Sequence, residues 1–181
     1  MFKKIIVVLL VVLIGGYIYS HHAMKVTQPD FMDGYVAEIE EKIAFRDAHS
    51  PEVSKADVAW HLDHMLKTVN EICKALEASD PQKFEGSINL MRTMSLSLNY
   101  IPRGRAKSPS VVRPPEVIVT EDLYSQLETA KQQLSTVFEL DEKAHFKHPV
   151  FGTIARGNAL RFIEVHTKHH LKIVRDIIEA Q

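Results

Sequence analysis

The sequence predicts an all-α protein: a bundle of four main helices with a shorter extra helix, preceded by an apolar N-terminal helix. Apolar residues recur at helical spacing through most of the chain. We find no internal repeat, no alternating strand pattern and no glycine-rich phosphate loop. With residues 1–20 and a tether at 21–29 set aside, residues 30–181 are long enough for one domain with its own core.

Residues 1–20 read as a membrane anchor or a signal segment. Lys3 and Lys4 precede an uncharged, apolar run at residues 5–19, somewhat short of the ~20 residues that span a bilayer comfortably. Ser20 and Ala23 follow this run, but Ile18 and His21 occupy the positions two before them, where signal cleavage also wants a small residue; this favours an uncleaved anchor. The lysines would stay on the cytoplasmic side, leaving the domain periplasmic or otherwise non-cytoplasmic. Secretion after cleavage is the alternative.

The first half of the bundle is predicted to contain three helices. The first covers residues 30–48, and the second begins where Ser54 and Asp57 resemble a capping box. The second helix ends at Asp80 and Pro81. In the third helix Asp80 is the predicted N-cap and Pro81 occupies the first helical position. The apolar faces are Phe31, Tyr35, Ile39 and Ile43; then Val58, Leu62, Met65, Leu66, Val69, Ile72, Cys73 and Leu76; then Phe84, Ile88, Met91, Met94 and Leu98.

Residues 103–116 form the one long irregular stretch, with four cations before any acid: Arg103, Arg105, Lys107 and Arg113. A solvated crossover loop explains it, and so does a basic flap that attracts an anionic ligand.

The next helix starts at Thr120, and residues 145–152 form a turn-rich link in which His148 has a structural role. The fourth helix has the apolar face Leu123, Leu127, Ala130, Leu134 and Val137.

The last helix, residues 155–179, contains the pair His166 and His170. The two are four residues apart, so they lie one turn above each other inside the apolar stripe of Leu160, Ile163, Val174, Ile177 and Ile178, with His169 at its edge. Two imidazoles on a buried face need partners. Hydrogen-bonded core histidines are one explanation. A divalent metal is the other, because this spacing lets both rings reach one ion.

A metal site needs a third protein ligand, and the second helix offers His61 and His64. Periodicity alone favours His61, which lies nearer the centre of the apolar face. Asp63 is a candidate acceptor for the second N–H of a ligand histidine.

Three motifs together resemble the DinB/YfiT-like metalloprotein superfamily, in a branch known only as a domain of unknown function. They are Trp60, Leu62 and His64 on the second helix; His-Pro-Val-Phe-Gly at 148–152; and His-Thr-Lys-His-His-Leu at 166–171. The resemblance covers roughly residues 54–178. It implies a four-helix bundle that holds a metal through one histidine of the second helix and the last helix's pair. Carried over by position, the ligands are His64, His166 and His170.

We consider two functions, and the resemblance implies the first of them. Relatives include thiol transferases, so the first is a transferase or hydrolase for a small molecule that uses a divalent ion, with zinc, nickel and iron equally suited to three histidines. The second is a non-catalytic, membrane-tethered binding or stress-response module, favoured by the lack of an evident general base: Asp63 and Glu164 are the only acids beside the candidate ligands. The sequence leaves a homodimer open.

The charge balance argues against a nucleic-acid partner, and the cysteine content argues against a disulfide. Lysine plus arginine number 22 against 23 aspartate plus glutamate, so no basic excess points to nucleic acid. The single cysteine, Cys73, excludes an intramolecular disulfide, and its apolar helical surroundings favour a buried structural thiol.

Overall fold

The structure is a computed structural model that describes residues 2–104 and 108–181. The chain is mostly helical, with one small antiparallel hairpin. In chain order the elements are α1 (Phe2–Ala23), α2 (Asp33–Lys42), α3 (Val58–Glu77), α4 (Leu90–Ser97), α5 (Thr120–Val137), β1 (His145–His148), β2 (Gly152–Ala155) and α6 (Arg156–Glu179). Single 3-10 turns lie at Ile43–Phe45, Pro81–Lys83 and Ser110–Val112.

Helix α3 is the central element, packed against α5 on one side and α6 on the other, with α2 touching all three. Every residue of its predicted apolar face is buried. So is the whole predicted face of α5. Most of the buried apolar residues belong to α3, α5 and α6, so these three helices supply most of the core. Each large apolar side chain removed from water stabilises the fold by about 1.5–3 kcal/mol. Cys73 lies within it as predicted, and burial raises the pKa of its thiol to about 12.

The start of α3 is fixed by Asp57, whose side chain accepts a hydrogen bond from the backbone N–H of Trp60 at 2.8 Å. Asp57 is therefore the N-cap. Ser54, predicted to share this role, accepts from the N–H of Ala56 at 3.1 Å instead. Because the helix begins at Val58, His61 and His64 both fall in its first two turns and face the core.

The third predicted helix is much shorter than expected, and its apolar face points the wrong way. Asp80 caps only a 3-10 turn, and α4 begins at Leu90 with Asn89 as its N-cap. The predicted core residues Met91, Met94 and Leu98 are each more than half exposed, and Ile88 is fully exposed. Arg92 is buried instead, since it donates to the backbone carbonyls of Ser87, Phe151 and Thr153.

Residues 145–155 form a hairpin that the sequence did not predict. His145 pairs with Ala155 and His148 with Gly152 across the two strands. Gly152 closes the turn with φ = +72°, a conformation that side chains rarely adopt. His148 has the structural role that the sequence predicted, because its Nδ1 accepts from the N–H groups of Val150 and Phe151 at 3.1 and 3.0 Å.

The predicted membrane anchor at residues 1–20 is wrong, and so is the localisation derived from it. Within the described residues, no helix combines the length and apolar character that a membrane crossing requires. The continuous apolar run of α1 is limited to residues 5–19, because Lys3 and Lys4 precede it and the polar residues Ser20, His21 and His22 follow it. Helix α1 also extends to Ala23, into the predicted tether, and Ser20 Oγ lies 2.9 Å from Ser97 Oγ of α4.

Candidate metal centre

Helices α3 and α6 bring three histidines together near one end of their contact. One ring nitrogen from each of His64, His166 and His170 lies within 4.8 Å of the other two. The ring centroids are 5.0 Å apart for His64 and His166, 4.8 Å for His64 and His170, and 4.5 Å for His166 and His170. His64 and His170 are only 4% and 8% exposed, whereas His166 is partly exposed.

The loop before α5 reaches this cluster. Nδ1 of His64 lies 2.8 Å from the backbone carbonyl oxygen of Val112, in the 3-10 turn Ser110–Val112. A carbonyl oxygen only accepts, so the ring proton of neutral His64 must be on Nδ1. Its Nε2 therefore keeps a free lone pair, which is the condition for binding a metal.

Burial keeps the three rings uncharged. It lowers the pKa of His166 and of His170 well below the ordinary value of 6.5, and neighbouring histidines add to the effect. The pKa of His64 is also lowered by burial, although its bond to Val112 opposes the shift. At neutral pH the cluster therefore presents uncharged imidazoles, the form in which histidine binds metal.

His61, the alternative third ligand, lies beside the cluster and outside the mutually close set. It is only 4% exposed, like His64. Its Nδ1 is 2.9 Å from Nδ1 of His170, and its Nε2 is 3.0 Å from Ser54 Oγ. Burial lowers the pKa of His61 to about 4. Periodicity on α3 favoured His61, but both histidines are equally buried, and His64 is the one that belongs to the mutually close set.

The two acids nearest the candidate ligands in sequence are paired elsewhere. Asp63 Oδ2 lies 2.6 Å from Lys67 Nζ, and Asp63 Oδ1 accepts from Gln126 Nε2 at 3.1 Å. Asp63 thus serves the contact between α3 and α5, and the prediction that it supports a ligand histidine is wrong. Glu164 forms an ion pair with Arg161 at 2.6 Å.

The basic loop is held against α6 at its start. Arg103 pairs with Asp176 at 2.6 Å, and Ile101 is hydrogen-bonded through its backbone to His169. Arg113 donates to the carbonyl oxygen of Ser108 at 3.0 Å. The other two predicted cations, Arg105 and Lys107, lie outside the described residues. The loop therefore contributes the Val112 carbonyl to the site, whereas a role in attracting anions stays a prediction.

Aromatic rings border the histidines on two sides. Trp60 stacks on His64, with centroids 5.0 Å apart and an interplanar angle of 29°. Phe162 lies 5.4 Å from His166, and His148 packs on Phe162 at 4.9 Å. The sequence had singled out Trp60 only as part of a motif and His148 for a structural role in the link, and nothing in it indicated Phe162 or the Val112 carbonyl.

Comparisons with protein-family models, curated proteins and solved structures found no match to this chain. The fold and site define a mostly helical protein with a buried cluster of three neutral histidines that could hold a metal ion. The resemblance to the DinB/YfiT-like superfamily, and the assignment of these three histidines as ligands, stay predictions.

Proposed function

We propose that this protein is a DinB-like metalloprotein in which His64, His166 and His170 hold one divalent ion: zinc, nickel or iron. The observation that carries the proposal is the convergence of three ring nitrogens, from two helices, within 4.8 Å of one another. Core histidines usually find carbonyl or carboxylate partners. Here Asp63 and Glu164 are paired with Lys67 and Arg161. The Val112 carbonyl contacts only Nδ1 of His64, which leaves its Nε2 for the neighbouring histidines.

The donor set fits such an ion. Three neutral imidazoles match the ligand number and type of catalytic zinc sites, which keep a further position open. His166 keeps part of its surface exposed to solvent. An ion bound there would supply Lewis acidity to a water or thiol ligand. The chain's own contribution is to fix the tautomer of His64 through Val112 and to border the site with Trp60 and Phe162.

The proposed reaction class is thiol transfer to, or hydrolysis of, a small molecule. A non-catalytic binding or stress-response module is the second candidate, and the pairing of Asp63 and Glu164 favours it, because neither carboxylate is free to act as a general base. A cobalt-loaded site distinguishes the two. If the visible spectrum changes on adding thiol or azide, the ion has an exchangeable position; an unresponsive spectrum favours the non-catalytic module.

Metal binding itself can be followed through Trp60, the only tryptophan of the chain. Because its ring stacks on His64, Co²⁺ held by the histidines should quench most of its fluorescence. His64→Ala, His166→Ala and His170→Ala should each weaken Co²⁺ binding by more than about 100-fold. This exceeds the roughly 10–100-fold loss of metal affinity that follows when a ligand histidine loses its hydrogen-bond partner.

His145→Ala is the matched control, because His145 contacts the carbonyl oxygen of Lys143 and lies outside the cluster. It should bind Co²⁺ like the wild type. Elemental analysis of the purified protein supplies the native metal. A wild-type protein that neither contains nor takes up metal, or three alanine variants that are quenched normally, would contradict the proposal.

A further inference from the structure

His170 differs from His64 in the kind of group that its Nδ1 contacts. Nδ1 of His64 faces a backbone carbonyl, which can only accept. Nδ1 of His170 faces Nδ1 of His61 at 2.9 Å, and Nε2 of His61 in turn lies 3.0 Å from Ser54 Oγ. The three side chains form a continuous hydrogen-bonded chain that leads from the candidate metal centre to the segment before α3.

Proton counting allows two arrangements of this chain when both histidines are neutral. In the first, Ser54 donates to His61 Nε2, and His61 Nδ1–H donates to His170, whose own proton must then be on Nε2. In the second, His170 Nδ1–H donates to His61 Nδ1, and His61 Nε2–H donates to Ser54 Oγ. The two contain the same number of protons. Only the second leaves the Nε2 lone pair of His170 free for a metal.

We propose that His61 is a positioning residue, which holds His170 in the Nδ1–H tautomer with Ser54 as the terminal acceptor. The inference rests on the proposed metal site. Ser54 suits this role because the N–H of Ala56 already occupies one of its lone pairs at 3.1 Å, which fixes the oxygen. The second lone pair accepts from His61 Nε2–H, so both ring nitrogens of His61 are satisfied in a buried position.

The distances favour this role over a fourth ligand. Nδ1 of His61 lies 2.9 Å from Nδ1 of His170, which is the distance of a hydrogen bond, and so faces the ring nitrogen of His170 that would not hold the ion. His61 is also outside the set of nitrogens that lie within 4.8 Å of one another. Direct coordination by His61 is therefore the outcome that would refute the proposal.

Nitrogen NMR of the ¹⁵N-labelled full chain tests the tautomers directly. In the Zn²⁺-loaded wild type, two-bond proton–nitrogen couplings should show His170 protonated at Nδ1 and His61 protonated at Nε2. With ¹¹³Cd²⁺, coupling should appear at His64, His166 and His170 and be absent at His61. A cadmium coupling to His61, or a loaded protein in which His61 is protonated at Nδ1, overturns the proposal.

Two substitutions at His61 separate positioning from packing. His61→Asn keeps an acceptor oxygen near the place of Nδ1, whereas His61→Leu fills similar space without one. We expect His61→Leu to weaken Zn²⁺ binding by about 10–100-fold and His61→Asn to restore most of the loss. Thermal unfolding in chelator establishes that both variants fold. Equal Zn²⁺ affinity in both variants and the wild type overturns the positioning role alone; a wild type that binds no metal overturns the metal site as well.

Discussion

The tautomer of three histidines, His64, His170 and His148, depends on the atom that Nδ1 of each ring contacts. Val112 fixes His64, His61 acts on His170, and two backbone N–H groups fix His148 in the opposite sense, since its Nδ1 must accept and its proton must be on Nε2. The HxxxH spacing predicted His166 and His170 because it depends only on helical geometry. His64, and not His61, belongs to the mutually close set, and the carbonyl that its Nδ1 contacts is 48 residues away along the chain, which no local pattern can indicate.

His148 should make the stability of the metal-free protein depend on pH. Burial lowers its pKa to about 4 from 6.5. Between these values the unfolded chain binds the proton and the folded chain does not, so its contribution is present above pH 6.5 and is lost as the pH falls to about 4. Because the side chain is partly exposed, we expect roughly 1–2 kcal/mol of the free energy of unfolding.

The measurement is urea unfolding in chelator at several pH values. His148→Asn keeps an acceptor for the two N–H groups and cannot titrate, so its stability should fall less between pH 6.5 and 4 than that of the wild type. His145→Ala, which alters a partly exposed ring in the same strand and leaves both hydrogen bonds to His148 in place, should leave the slope unchanged. Parallel curves for wild type and His148→Asn would contradict the assignment.

Among the elements, the long amphipathic helices were predictable and the short ones were not. Helices α3, α5 and α6 bury the predicted apolar faces almost completely, because over five turns the hydrophobic period decides orientation. Helix α4 has eight residues, and three backbone carbonyls that accept from Arg92 decide which side faces the core. The strands β1 and β2 have four residues each, too few for an alternating pattern to stand out.

The hairpin before α6 gives a prediction at this scale. Gly152 has φ = +72°, and an added Cβ would also meet Ser87 Oγ at 3.3 Å. Gly152→Ala should therefore lower the free energy of unfolding by about 1–2 kcal/mol. Gly157, in the first turn of α6, is the matched control: a Cβ there meets no atom within 4 Å, and Gly157→Ala should be neutral or stabilise by up to about 1 kcal/mol.

Chemical denaturation of both glycine variants, without metal, gives the comparison. Because Gly152 closes the turn in which His148 accepts its two hydrogen bonds, the Gly152→Ala variant should also show a shallower pH dependence. If Gly152→Ala lowers the free energy of unfolding no more than Gly157→Ala does, the turn tolerates the substitution and the prediction is wrong.

For the whole molecule, the candidate site joins two helices that otherwise meet mainly through apolar contacts. His64 is on α3, and His166 and His170 are on α6, so an ion at the cluster would link the central helix to the last one. The loop would be linked as well, through Val112 and through the ion pair of Arg103 with Asp176. Metal binding should therefore stabilise α3, α6 and the loop with Val112 together, although these segments are far apart in sequence.

The thermal unfolding temperature should rise accordingly with metal. A ligand that binds only the folded state, at 100 times its dissociation constant, adds about 2.7 kcal/mol, which for a chain of this size corresponds to roughly 5–10 °C. Zn²⁺ should produce this shift in the wild type and in His145→Ala, and chelator should reverse it. In His64→Ala the shift should disappear, because the pair on α6 alone leaves α3 unlinked. A shift of full size in His64→Ala would place the stabilising ion elsewhere, since the α3–α6 link requires His64.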